Sequence, residues 1–92
     1  MIVRILGEGQ LRVDDAVTAE LQAFDADLEA AVEKNDQDAL TAALVGLLEK
    51  VRSQGTPLPA DSLEPSDAII PYEGATLAEV RKLITDEGLI PG

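Results

Sequence analysis

The sequence predicts an α+β fold in which a small antiparallel sheet packs with an antiparallel helical hairpin and a short C-terminal helix. Three observations predict this fold. Short β-branched runs flank a glycine-bounded turn near the N-terminus, two stretches with helical periodicity follow, and a proline-rich connection leads to one more helical stretch. A chain of 92 residues supports one hydrophobic core and not two. We therefore expect residues 1–92 to form a single domain.

The first predicted element is a β-hairpin over residues 2–13. Two short apolar runs flank Gly7-Glu8-Gly9, whose glycines tolerate the positive φ angles of a tight turn. Alternation along the first run places Val3 and Ile5 on one face of the hairpin and Arg4 on the other.

Two amphipathic helices are predicted next, over about 15–34 and 36–54. Each has apolar residues at spacings of three and four, which form one stripe. These residues are Val17, Leu21, Phe24, Leu28, Ala31 and Val32 in the first helix, and Leu40, Ala43, Leu44, Leu47 and Val51 in the second. Asp14 or Asp15 is placed to cap the first helix, and Asn35-Asp36-Gln37-Asp38 supplies a turn and the second cap. About four residues join the helices, so they must lie side by side and antiparallel.

The second helix is expected to end with Gly55 in a left-handed turn. This helix also carries more apolar surface than one neighbouring helix can cover, because Val45 and Leu48 lie off its main stripe. Burial under the sheet and contact with another protein explain this surplus equally well.

Residues 55–75 hold four of the five prolines and must be extended rather than helical. Within them, Ala68-Ile69-Ile70 is a short apolar run stopped by Pro71, which predicts an edge strand that pairs with the hairpin.

The last predicted element is a helix over about 77–87. Thr76 and Glu79 have the spacing of a capping box, and Gly88 is expected to end the helix. We expect the apolar pair Leu89-Ile90 to pack down onto the core.

The composition excludes several classes of chemistry. The chain has no His and no Cys, so it lacks a Ser-His-Asp triad, a thiol nucleophile, a disulfide and an ordinary zinc site. No pair of carboxylates stands out as an acid and base pair. We therefore expect a protein that is not an enzyme and that needs no metal or cofactor.

A calcium site in the first helix is also rejected. Asp25, Asp27, Glu29 and Glu33 begin with every-other-residue spacing, but Ala30 stands where a calcium loop needs glycine. The apolar stripe moreover keeps its helical phase through these acids, so we interpret them as helix capping and a solvated face.

The net charge of −11 disfavours direct binding to nucleic acids and to anionic membranes. The N-terminal apolar run is too short for a signal peptide, and no uncharged run approaches the roughly 20 residues needed to cross a bilayer. These observations predict a cytoplasmic protein.

Protein binding is the function that the remaining features favour. Glu29 forms like-charge pairs with Asp25 and with Glu33, one helical turn away on each side, and a basic partner would relieve this repulsion. A solvated acidic face is the alternative. Arg4 and Arg12 are the cations of the hairpin and form a candidate basic spot on its outer face, unless each pairs with a neighbouring acid. The candidate partner-binding residues are Arg4, Arg12, Asp25, Glu29, Glu33, Val45 and Leu48.

Four segments resemble those of one known family. They are Met1-Ile2-Val3-Arg4-Ile5-Leu6-Gly7-Glu8-Gly9-Gln10, Gly55-Thr56-Pro57-Leu58-Pro59, Leu63-Glu64-Pro65-Ser66-Asp67 and Asp86-Glu87-Gly88-Leu89-Ile90-Pro91-Gly92. In this order they are similar to the segments of the PspA-associated family called PspAA. The resemblance covers essentially the whole chain.

This resemblance implies a small accessory partner of PspA, the helical, membrane-remodelling protein of the phage-shock envelope-stress response in actinobacteria and some other prokaryotes, which is related to the ESCRT-III family. It implies no catalytic residues. We expect the protein to bind a PspA-like coiled coil, to modulate its assembly or availability, and to reach the inner face of the membrane only through that partner. The alternative is an acidic inhibitory or antitoxin-like module that occupies the basic site of an unrelated protein.

Overall fold

The computed structural model describes residues 1–84 and 89–90 and confirms the α+β fold. The strands are β1 (Ile2–Ile5), β2 (Gly9–Arg12), β3 (Thr56–Pro57) and β4 (Ala68–Ile70). The helices are α1 (Thr18–Glu33), α2 (Gln37–Gln54) and α3 (Leu77–Leu83), and a 3-10 turn, Asp15–Val17, precedes α1.

The four strands form one sheet in the order β3-β2-β1-β4. β1 and β2 form the predicted antiparallel hairpin, and the predicted edge strand pairs with β1. This edge strand, β4, runs parallel to β1, so the sheet is mixed and not wholly antiparallel as expected. The difference arises because residues 58–67 carry the chain from one edge of the sheet to the other before β4 begins. β3 was not predicted, since two residues are too few to show an alternating pattern and Pro57 suits only an edge.

The helices cover one face of the sheet, which we call the inner face. Val3 and Ile5 are fully buried there, while Arg4 between them is exposed, as the alternation predicts. Leucines of both long helices complete the core, and α1 and α2 pack against each other along their length. The helical hairpin is therefore confirmed.

Both predicted N-terminal caps are present. The carboxylate of Asp14 accepts a hydrogen bond from the backbone N–H of Ala16 at 2.9 Å, but it caps the 3-10 turn, and α1 itself begins only at Thr18. The carboxylate of Asp36 accepts from the N–H of Ala39 at 3.1 Å and caps α2.

Gly55 does not adopt the predicted left-handed turn. Its φ and ψ are −91° and 154°, which is extended backbone. Glycine is required for a different reason: a Cβ at this position would lie 2.5 Å from the carbonyl oxygen of Val51 and 3.0 Å from the Cβ of Leu11. The helix therefore ends by close packing against β2.

The capping box of α3 is confirmed, because the Thr76 hydroxyl accepts from the Glu79 N–H and the Glu79 carboxylate accepts from the Thr76 N–H. The helix is shorter than predicted, since it ends at Leu83 and Ile84 is extended. The predicted stop at Gly88 lies outside the described residues. Leu89 and Ile90 are 5% and 2% exposed, so the apolar pair packs down as expected.

Candidate interaction surfaces

Not all of the acidic residues predicted on the surface of α1 are exposed. Asp25 is only 4% exposed, and its carboxylate accepts hydrogen bonds from the backbone N–H groups of Leu89 and Ile90, both at 3.0 Å. A buried carboxylate that already binds the chain's own backbone does not form part of an exposed surface. The expectation that Asp25 contacts a partner is therefore corrected.

Glu29 and Glu33 remain available on α1. Glu33 is exposed and Glu29 is half-buried, and neither forms an ion pair with another residue of the described part of the chain. We call these two residues the acidic face. They lie one helical turn apart, so the two carboxylates repel each other.

The surplus apolar surface of α2 is mostly used inside the protein. Leu48 is 0% exposed and belongs to the core, which removes it from the candidate binding residues, while Val45 is half-buried. The physical reason is that α2 packs against both α1 and the sheet. The neighbouring Gly46 lets Phe24 of α1 approach closely, since a Cβ there would lie 2.6 Å from its ring.

A shallow groove of about 460 Å³ separates the solvent sides of α1 and α2. Alanines line most of it, and Asp27, Lys34 and Asp36 stand at its rim. Small side chains at a helix contact permit close packing within the protein, so the groove by itself does not indicate a ligand.

The two arginines of the hairpin differ in their surroundings. The guanidinium of Arg12 is 2.7 Å from the carboxylate of Glu64 and forms an exposed ion pair with it. Arg4 is exposed and has no ion pair or side-chain hydrogen bond with any residue in the described ranges. Arg4 alone thus retains a guanidinium that is free to bind an anion.

The face of the sheet opposite the helices, which we call the outer face, is half covered by a loop of residues 58–67. The side-chain amide of Gln10 on β2 donates hydrogen bonds to the carbonyl oxygen of Glu64 at 2.9 Å and to the hydroxyl of Ser66 at 2.8 Å. Gln10 is consequently only 8% exposed. The loop is fixed over β2 and the first residue of β1, and it leaves Arg4 of β1 and Ile69 of β4 exposed.

A cleft of about 380 Å³ opens beside this loop, near the turn of the hairpin. Leu58 and Pro59 form an apolar wall, and Arg4 and Arg52 contribute guanidinium groups. Arg52 is already engaged, because its Nε donates to the Glu8 carboxylate at 3.0 Å and a second nitrogen also binds Glu8. These hydrogen bonds lower the pKa of Glu8 and raise that of Arg52.

Sequence reasoning missed the exposed apolar residues of the proline-rich connection. Leu63 is 97% exposed, Ile69 is 42% exposed, and Tyr72 is exposed beside them in the chain. Strand alternation carries a signal for Ile69, since its neighbours Ala68 and Ile70 face the core and Ile69 must face the opposite way. No comparable signal exists for Leu63, because the loop has no regular period.

The described residues contain no group of three or more acidic side chains arranged to hold a metal ion. The phenol of Tyr72 donates to the carboxylate of Glu79, which raises the pKa of the tyrosine and lowers that of the glutamate. Since this carboxylate also completes the capping box of α3, we interpret the pair as structural. Within residues 1–84 and 89–90, no helix has the length and apolarity needed to cross a membrane.

Comparison with known proteins gives one result. The family model described as PspAA, PspA-Associated protein, matches residues 1–92. Neither the curated proteins nor the solved structures include a match to this chain.

Proposed function

The chain belongs to the PspAA family of PspA-associated proteins, and from this premise we propose that it is a non-enzymatic accessory protein that binds PspA. The observation that carries this proposal is the match of the family model over the whole chain. The exposed acidic face and the unpaired Arg4 support it, because both are surface charges that lack a partner within the described part of the chain.

The consequence of binding is a change in the assembly or availability of PspA. The family resemblance implies that PspA is a membrane-remodelling protein of the envelope-stress response. A small protein attached to its surface would alter which of its contacts remain free for self-association. We propose that the chain acts in the cytoplasm and reaches the inner face of the membrane through PspA.

The acidic face of α1 is the surface that we propose for electrostatic contact with PspA. Like charges one helical turn apart cost roughly 0.2–0.5 kcal/mol in an isolated helix, and a basic segment of the partner would remove that cost. The net charge of −11 favours encounter with a basic segment in the same way. Both effects are screened by salt, so binding should weaken as ionic strength rises.

Titration of purified PspA with the purified chain tests the proposal, with affinity measured at low and at high salt. We expect saturable binding that weakens with salt, and weaker binding at low salt when Glu29→Gln and Glu33→Gln are combined. Glu49→Gln is the matched control, because Glu49 is an exposed acid on α2 that is outside the acidic face. Its affinity should stay within about twofold of the unmodified chain.

Two results would contradict different parts of the proposal. Absence of binding between the two purified proteins at low salt would contradict the proposal that PspA is the partner. Normal affinity of the double variant, with its fold intact by circular dichroism, would contradict only the proposal that the acidic face contacts PspA. Recovery of an unrelated basic protein, without PspA, from a lysate would favour the inhibitory module instead.

Modulation of PspA needs a separate measurement. We expect the sedimentation profile of PspA assemblies to shift when the chain is added in excess, and the double variant to shift it less. An unchanged profile in the presence of demonstrated binding would show that the chain associates with PspA without altering its assembly.

A further inference from the structure

We propose that the open part of the outer face binds an amphipathic helix of the partner that carries a carboxylate beside its apolar stripe, with Arg4 as the residue that receives this carboxylate. This inference rests on the proposed function. It adds a second contact with PspA, in which this chain supplies the positive charge, to the contact made by the acidic face. The open part is defined by Arg4 on β1 and Ile69 on β4, with the loop of residues 58–67 as its border.

The open part of the outer face is small and is bordered by the loop. The loop buries Ile2 and Gln10 on the outer face, each to 8% exposure, whereas Arg4 and Ile69 are exposed. The two exposed residues are direct neighbours in the register of β1 and β4. Adjacent strands lie about 4.8 Å apart, so the side chains of Arg4 and Ile69 stand side by side and form one exposed patch.

The guanidinium of Arg4 differs from those of the other arginines because it has no partner in the described part of the chain. Each of the other three arginines has partners, since Arg12 binds Glu64, Arg52 binds Glu8, and Arg81 binds Asn35 at 2.8 Å. Arg4 has no such partner in residues 1–84 and 89–90, although the chain carries 18 acidic residues. A guanidinium presents a planar fork of donors that matches a carboxylate.

Exposed apolar side chains lie beside Arg4. In the described part of the chain, the large exposed apolar residues are Leu63, Ile69 and Tyr72, and none of them lies on a helix. Ile69 is the neighbour of Arg4, and Leu63 belongs to the bordering loop. Apolar contact beside a single cation suits a helix that carries an acidic residue next to its apolar stripe.

A polyanion is a poor occupant of this surface. The net charge of −11 would repel nucleic acid phosphates, and within residues 1–84 and 89–90 Arg4 is the one guanidinium without a partner to offset that repulsion. One carboxylate on an otherwise neutral or basic helix meets Arg4 without that penalty. Because the outer face and the acidic face lie on opposite sides of the fold, the two contacts do not compete.

Affinity for purified PspA tests the assignment. We expect Arg4→Gln and Ile69→Thr each to weaken binding by about fivefold or more, as substitution of residues that anchor an interface does. Lys82→Gln is the matched control for the lost positive charge, because Lys82 is exposed on α3, away from the outer face. The unfolding midpoints of all three variants should lie within about 5 °C of that of the unmodified chain, since Arg4 and Lys82 are exposed and Ile69 is 42% exposed.

A crosslinking experiment identifies the occupant. The chain contains no cysteine, so Ile69→Cys introduces a single thiol that carries a crosslinker to PspA. We expect the linked PspA peptide to come from an amphipathic helical segment with Asp or Glu beside its apolar stripe. Glu49→Cys on α2 is the control, and it should not link to that segment.

The outcomes separate this inference from the proposed function. Unchanged affinity of Arg4→Gln and Ile69→Thr, together with PspA binding by the unmodified chain, would overturn the outer-face contact alone. A link from Ile69→Cys to a segment without acidic residues would also overturn it. Failure of the unmodified chain to bind PspA at all would overturn both.

Discussion

The carboxylate of Asp25 lies 3.0 Å from the backbone nitrogen of Leu89, 64 residues away in the sequence. The same side chain also accepts from the N–H of Ile90, so one buried carboxylate fixes the apolar pair against α1. Buried backbone N–H groups need acceptors, and this segment obtains them from a side chain rather than from secondary structure. Asp25 is therefore a structural residue, although its sequence environment is that of a surface acid.

Replacing Asp25 tests this role. Asp25→Ala leaves two backbone N–H groups without an acceptor, and we expect the free energy of unfolding to fall by about 1–3 kcal/mol. Asp27→Ala is the control, because Asp27 is exposed on the same helix, and its effect should stay within about 0.5 kcal/mol. Urea denaturation followed by circular dichroism measures both values. Equal stabilities of the two variants would contradict the role of Asp25.

The contrast between Asp25 and Glu29 shows where sequence reasoning stops. Both are acids on α1, four residues apart, and only the first faces the core. Helical periodicity places Asp25 beside the apolar stripe, but it does not reveal an acceptor role, because the donors come from the far end of the chain. A long-range partner leaves no local signal in a single sequence.

Gly46 within α2 and Gly55 at its C-terminal end give a matched pair of predictions. A Cβ on Gly55 would meet the backbone oxygen of Val51 at 2.5 Å, and backbone cannot move aside, so Gly55→Ala should destabilise the protein by about 1–3 kcal/mol. A Cβ on Gly46 would meet only the ring of Phe24, which can rotate, and alanine has the higher helix propensity. Gly46→Ala should therefore cost less. Thermal unfolding of both variants decides the order, and a larger loss for Gly46→Ala would contradict it.

Gln10 supplies a prediction about the loop of residues 58–67. Gln10→Ala removes the two hydrogen bonds that the Gln10 side chain donates to the loop, and we expect a loss of about 1–2 kcal/mol and faster proteolysis within the loop. Arg12→Gln removes an exposed ion pair to the same loop and should cost no more than about 1 kcal/mol. Limited proteolysis read by mass spectrometry compares them. Equal cleavage rates in the two variants would show that Gln10 does not fix the loop.

The secondary structure elements could be predicted from the sequence, but the way in which they pair with one another could be predicted only in part. The hairpin and both long helices have a repeat of two or of 3.6 in their own residues, β4 is an apolar run stopped by Pro71, and the structure contains all of them. The parallel direction of β4 depends on the path of residues 58–67, which have no repeat. The same loop decides which residues of the outer face are covered, so the burial of Ile2 and Gln10 could not be predicted from the sequence.

The ion pair between Glu8 and Arg52 predicts how stability depends on pH. Hydrogen bonds from Arg52 hold the pKa of Glu8 below its ordinary value of 4.5 in the folded protein. As the pH falls, the unfolded chain takes up this proton first, so the stabilisation is complete above about pH 5 and is lost as the pH passes through the folded pKa. Glu8→Gln should therefore be less stable than the unmodified chain at neutral pH, by at most about 1 kcal/mol because both side chains are exposed, and this difference should shrink as the pH falls below about 4.5. Urea denaturation between pH 3 and pH 7 measures the difference.

The stability of Arg52→Gln should approach that of the unmodified chain in the same way as the pH falls. At pH 7, the double variant should lose little more unfolding free energy than either single variant. A stability difference for Glu8→Gln that stays constant over this range would show that the pair does not contribute through its charge.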